Sequence, residues 1–155
     1  MEYNMSDATT DIELAPRTSV TDVANAIEGL NSGAAFFSTV KGTDSATRKL
    51  VTKALTSSLP IKEHINKPIK LANIVVQPVE LADEKTGEVT VQPRVVLIDH
   101  EGNAFHGTSL GLLSSVRNIL AGMGDPSEWD GPLDIKVVEQ KSSNNAGHFF
   151  TVKLV

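Results

Sequence analysis

From Pro68 to the C-terminus the chain reads as β-strands separated by turn signals, with one helical interruption. This alternation confines it to a mainly β architecture. Residues 69–81 form a long apolar strand with Pro78 near its end, which implies an edge position or a bulge. Asp83-Glu84-Lys85-Thr86-Gly87 is a polar hairpin turn, and residues 89–99 return as a strand interrupted by Pro93. His100-Glu101-Gly102-Asn103 is a tight turn, and Ala104-Phe105-His106 continues briefly beyond it. Residues 133–139 and 148–154 make a terminal hairpin around the loop 141–147.

The interruption is a helix capped by Thr108 or Ser109, with Leu112, Leu113, Val116, Ile119, Leu120 and Met123 on one side. Gly122 and Gly124-Asp125-Pro126 end it. Upstream, residues 1–18 are polar, acidic and aperiodic, a flexible lead-in. Val23, Ile27 and Leu30 recur at helical spacing over 21–30, and residues 34–41 read as a strand. Asp44 caps a second helix whose apolar stripe is thin (Leu50, Ala54, Leu55) and whose other faces carry Arg48, Lys49 and Lys53. Leu59-Pro60 stops it.

The resulting order is strand, helical insertion, long strand, strand, helix, strand, strand. Five strands with a helix between the third and fourth is the order of an OB-fold, a partly open barrel. The expectation is a mainly β, five-stranded OB-fold-like barrel with extra N-terminal helices. Residues 1–18 form a flexible acidic tail, and 19–155 form one domain with a helical insertion around 44–58. A β-sandwich would need more strands and a doubly wound sheet more helices.

A length of 155 residues suits one domain with a proper core, and 40% apolar content excludes wholesale disorder. There is no cysteine, hence neither a disulfide framework nor a thiolate metal site. No apolar run approaches the roughly 20 residues that span a bilayer. Met1-Glu2-Tyr3-Asn4 does not open a signal peptide, so a cytoplasmic location is expected.

The net charge of −5 looks wrong for a nucleic-acid binder, but it is segregated. Between Lys41 and Lys70 seven bases stand against two acids, giving +5 there and leaving −10 elsewhere. The first sixteen residues hold four acids and no base. Segregation of this kind creates a local binding field.

Alternation divides the last strand into a face of Phe150, Val152 and Leu154 and a face of Phe149, Thr151 and Lys153. The first strand repeats this, with Phe36, Ser38 and Val40 on one side and Phe37, Thr39 and Lys41 on the other. A ring, a hydroxyl and an ammonium along one face suit single-stranded nucleic acid, because the ring stacks on a base and the ammonium neutralises a phosphate. The competing explanation for each pair of phenylalanines is burial beneath a helix or loop. Trp129 lies in the acidic loop 125–130, where a packing role or a partner contact fits better than stacking.

Catalytic look-alikes carry little. Gly107-Thr108-Ser109-Leu110-Gly111 spells a G-x-S-x-G elbow with His148 downstream, but no parallel sheet precedes it and Ser109 serves equally as a helix cap. His64, His100, His106 and His148 show no metal-ligand spacing, and Asp99-His100-Glu101 reads as a turn. No P-loop or dinucleotide fingerprint is present. Neither cofactor nor metal is expected.

From Val96 to Val155 the sequence resembles the single-stranded DNA-binding proteins of small protein-primed phages of Bacillus and related Gram-positive hosts. The resemblance rests on Glu101-Gly102-Asn103-Ala104-Phe105, the helix opening at Ser109, Ile135-Lys136-Val137-Val138, and the ending His148-Phe149-Phe150-Thr151-Val152-Lys153-Leu154. It implies a non-catalytic protein that coats displaced strands cooperatively during phage DNA replication in the host cytoplasm. Phe105 takes the position of the family's base-stacking tyrosine and inherits that role. Gln77 and Pro78 stand where the family carries further tyrosines.

The expected contacts are therefore Phe105, Phe37 and Phe149 with bases. Lys41, Arg94, Lys136 and Lys153 meet phosphates, with Lys67 and Lys70 near the path. The partner is single-stranded DNA, and the acidic tail is a candidate for recruiting replication proteins. A homo-oligomer is compatible with this reading, and no membrane is involved. The alternative is a phage structural or interaction module whose barrel binds protein.

Overall fold

The structure is a computed structural model that describes residues 37–141 and 148–155. The expected tail 1–18, the helix over 21–30, the strand start at 34–36 and the loop 142–147 lie outside the described residues.

The elements run β1 (Phe37–Ser38), α1 (Ser45–Thr56), β2 (Leu59–Pro60), a 3₁₀ turn (Ile61–His64), β3 (Pro68–Ala82), β4 (Val89–Asp99), β5 (Ala104–Gly107), α2 (Leu110–Met123), a second 3₁₀ turn (Pro126–Glu128), β6 (Leu133–Lys141) and β7 (His148–Leu154). The strands form one curled, open sheet in the order β2-β5-β4-β3-β6-β7, with β1 added to β3. The mainly β expectation holds at this level. The strand count does not: seven strands are present among the described residues, not five. Residues 104–107 form a separate strand beside β4, and Leu59-Pro60, which the sequence marks only as a stop, pairs in parallel with β5. The helix α2 thus follows the fifth described strand.

Alternation sorts the strand residues onto two faces. Ile69, Leu71, Ile74, Val76, Val95, Leu97, Ile135 and Val137 face inward, where Leu112, Leu113, Val116 and Leu120 of α2 close the main core. Each such side chain contributes roughly 1.5–3 kcal/mol on burial. On the outer face Val75, Val96, Ile98 and Ala104 receive the thin stripe of α1, Leu50, Ala54 and Leu55.

The inward alternation along β3 shifts by one residue, from Ile69 and Leu71 to Ile74 and Val76, at an irregularity between Leu71 and Asn73, not at Pro78. Thr39 fills that gap, its hydroxyl accepting from Ile74 N (2.8 Å) and donating to Asn73 Oδ1 (2.9 Å). Pro78 instead faces Pro93 across the β3–β4 pair. Among the described residues, both strands are free of other neighbours there, so missing N–H groups on the outer edges cost no ladder bond.

Both helices end as their sequences dictate. Asp44 Oδ1 accepts from Thr47 N at 2.9 Å, and Ser109 Oγ accepts from Gly111 N at 3.0 Å. Gly124, at φ 77, returns its N–H to Leu120 O. The Trp129 indole donates to the carbonyls of Met123 and Gly124 while its ring packs on the core. Packing is thus the role the structure gives Trp129.

Candidate nucleic-acid interface

The outer face of β3, β6 and β7 is built by register. Ile69, Ile135, Val137 and Val152 point into the core, so their neighbours Pro68, Lys70, Lys136, Thr151 and Lys153 point away from it. Lys70 lies opposite Asp134, Pro68 opposite Lys136, and Lys136 opposite Lys153. Further along, Val138 faces Thr151 and Gln140 faces Phe149. One surface therefore carries Phe149 at one end and Lys153, Lys136 and Lys70 at the other. At the strand rise of 3.3 Å per residue, Phe149 and Lys153 are about 13 Å apart. Lys67, exposed, precedes Pro68 beside this row.

The electrostatics of the row are unusual. Lys136 and Lys153 are like charges directly opposite on one face, an arrangement that destabilises a sheet unless an anion joins it. Asp134, two residues before Lys136 on β6, is engaged by Lys70 at 2.9 Å, and both partners are exposed.

At its Phe149 end the surface opens into a groove of about 650 Å³ lined by Gln92, Thr108, Ser109, Leu110, Gly111, Phe149 and Phe150. Leu110 is 67% exposed at its mouth. Leu110 is out of phase with the stripe of Leu112, Leu113 and Val116, and that phase is the signal by which the sequence could have exposed it.

The groove wall is held by polar bonds along the free edge of β7. Ser115 Oγ accepts from Val152 N at 2.9 Å and donates to Gly111 O. Ser109 Oγ sits 3.4 Å from both the N and the O of Phe150. The apparent nucleophile elbow is thus a helix cap that also tethers β7.

The remaining expected contacts are placed elsewhere. Phe37 is 9% exposed and Phe105 5%, both in the main core, so neither ring offers a base a free face here. Phe105 stacks at a tilt on His64, with centroids 4.4 Å apart. The two Phe-x-Thr-x-Lys segments therefore point opposite ways. At β1 the Phe37 ring and, just after the strand, the Thr39 hydroxyl are inside, and in β7 Phe149 leaves the core to Phe150.

Lys41 reaches Asp125 at 3.2 Å, whose carboxylate is fully buried and also takes the N–H and hydroxyl of Ser127. Arg94 is half-buried. Its guanidinium donates to Leu55 O (2.9 Å), Ser58 Oγ (2.8 Å) and Gln77 Oε1 (3.2 Å), and burial lowers its pKa. That fork fastens the C-terminal turn of α1 to the sheet. Ser58, accepting from Arg94, lies 2.8 Å from Nδ1 of His106. Burial, then the nearby Arg94 charge, pushes the His106 pKa down.

Asp99 organises the turn after β4, accepting from the N–H groups of Glu101 and Asn103. Among the described residues no group of three or more His, Asp or Glu is arranged to hold a metal ion. No helix among them is long and apolar enough to cross a membrane.

A protein-family model described as "Phage Single-stranded DNA-binding protein" matches residues 30–155. No curated protein and no solved structure matches the chain.

Proposed function

Since the chain belongs to the phage single-stranded DNA-binding protein family, we propose that it coats displaced DNA strands during phage replication in the host cytoplasm, without catalysis, on the outer face of β3, β6 and β7. The observation that carries this reading is the directly opposed Lys136–Lys153 pair on the same face as Phe149. Two ammonium groups held side by side gain from a shared phosphate what they lose to mutual repulsion. Phe149, at the edge of an open groove, supplies the ring on which a base stacks, with Leu110 as an exposed apolar flank at its mouth.

Lys67 and Lys70 extend the phosphate path. Lys70 leaves Asp134 to do so, at small cost because exposed ion pairs are weak. Phe37 and Phe105 hold the half-barrel from inside, an OB-type frame on this reading, and Lys41 and Arg94 brace it.

Oligo-dT titration at several salt concentrations tests the proposal. Phe149→Ala is expected to weaken binding by about 1–3 kcal/mol, the usual worth of one stacked base. Lys136→Ala and Lys153→Ala are each expected to reduce the salt slope by about 0.7. Binding that is absent at low salt, or unchanged in all three variants, would remove the proposal.

A further inference from the structure

Beyond Gln77 on β3 and before Arg94 on β4, the two strands pair only with each other among the described residues. They continue as a two-stranded ribbon with no further strand partner on either edge among the described residues. Such a ribbon is marginal in water by itself, and this one exposes Leu81, Val89 and Val91. Its tip is nevertheless closed by its own hydrogen bonds. Asp83 Oδ1 accepts from the N–H groups of Lys85 and Thr86, Glu88 N donates to Thr86 Oγ1, and Gly87 takes φ 74.

Residues 77–93 carry four acids (Glu80, Asp83, Glu84, Glu88) against Lys85, a net −3. The four acids of this ribbon repel phosphate, so its tip lies off the DNA path, while Gln92 near its root lines the Phe149 groove. Pro78 and Pro93 at its root deny a neighbouring strand the donors it would need for edge pairing. What suits it is a surface that is basic and partly apolar.

The chain carries such a surface. Helix α1 holds Arg48, Lys49 and Lys53, all exposed, and no acid, a net +3. Leu59, 56% exposed, follows it on β2, the end strand of the sheet. We propose that the acidic β3–β4 ribbon of one copy docks on the basic α1–Leu59 surface of the next. Donor and acceptor patches differ, so the contact is head-to-tail and propagates a row of copies. DNA that holds copies side by side raises their effective concentration, so a weak contact suffices. In this respect the inference rests on the single-stranded DNA reading above, whereas the contact itself does not.

The test compares the full chain with a ribbon-reversed variant (Glu84→Lys, Glu88→Lys), an acceptor-reversed variant (Lys49→Glu, Lys53→Glu) and the chain carrying all four changes. Binding is measured on an oligo-dT long enough for one copy and on poly-dT. Either reversal is expected to lower cooperativity on poly-dT about tenfold, the scale of a few exposed ion pairs lost together. Short-oligonucleotide affinity should hold, and the four-change chain should regain cooperativity.

Loss of short-oligonucleotide affinity in the acceptor-reversed variant would make Lys49 and Lys53 phosphate contacts and overturn the proposal. So would unchanged cooperativity in both reversals, or no recovery in the four-change chain. Sedimentation at low salt without DNA decides the contact even if oligo-dT does not bind. The two reversed variants should associate when mixed and not when separate, and absence of mixed association would refute the contact itself.

Discussion

Phe105 and Phe149 share a side chain and differ in everything around it. The Phe105 ring is enclosed by the core and by His64, so Phe105→Ala leaves a cavity and is expected to cost about 3–5 kcal/mol of stability. Urea denaturation measures that loss, and DNA affinity per folded molecule should stay near its original value. His106 behaves as a residue held neutral, its Nδ1 facing the Ser58 hydroxyl and its pKa lowered below 6.5 by burial and by Arg94. The unfolded chain then binds the proton more readily than the folded one. His106 therefore contributes stability that is complete above about pH 6.5 and is lost as pH falls through its depressed folded value. Thermal midpoints between pH 5 and 7.5 should fall toward acid, and less so in His106→Gln.

At the scale of elements, the junction of α2 with β7 joins fold to site. Gly111 lies so close to the strand that a Cβ there would strike the carbonyl oxygen of Phe150 and come within 3.0 Å of the Phe149 ring. Gly111→Ala is expected to push the helix off the strand edge, destabilise the chain by about 1–3 kcal/mol and weaken oligo-dT binding by displacing Phe149. Denaturation and titration of the same variant report both effects. Ser109 and Ser115 show why this junction was only half legible. The sequence marks Ser109 as a cap, because capping is local and its partner is two residues away. The bond from Val152 N to Ser115 Oγ joins residues 37 apart in the chain, and no local pattern announces it. For the same reason the short strands Phe37–Ser38 and Leu59–Pro60 are defined by the partners they find.

At the scale of the whole molecule, the half-barrel is drawn together by contacts between distant segments. Lys41 and the buried Asp125 join the chain after β1 to the connection between α2 and β6. Lys41→Met strands that carboxylate with less compensation and is expected to cost about 1–3 kcal/mol. Its salt slope on oligo-dT should match the unaltered chain, in contrast to Lys136→Ala, and the two measurements together separate a brace from a phosphate contact. Charge follows the same logic. A net charge of −5 conceals an acidic ribbon, a basic helix and a lysine row that lie on different parts of one surface. The sequence by itself determined the long strands, the turns, the helix caps and, within an unbroken stretch of strand, which residues share a face, because turn chemistry, capping and the two-residue period are local. The short strands and the irregularity between Leu71 and Asn73 were not legible in it. The sequence also carried the family resemblance. Only the tertiary structure decided which face turns inward, since a two-residue period is symmetric between the two sides of a strand. What breaks that symmetry is the packing of α1, α2 and neighbouring strands. Hence two identical Phe-x-Thr-x-Lys segments part ways, one sealing the core through Phe37 and Thr39, the other carrying Phe149 and Lys153 on the outer face of β7.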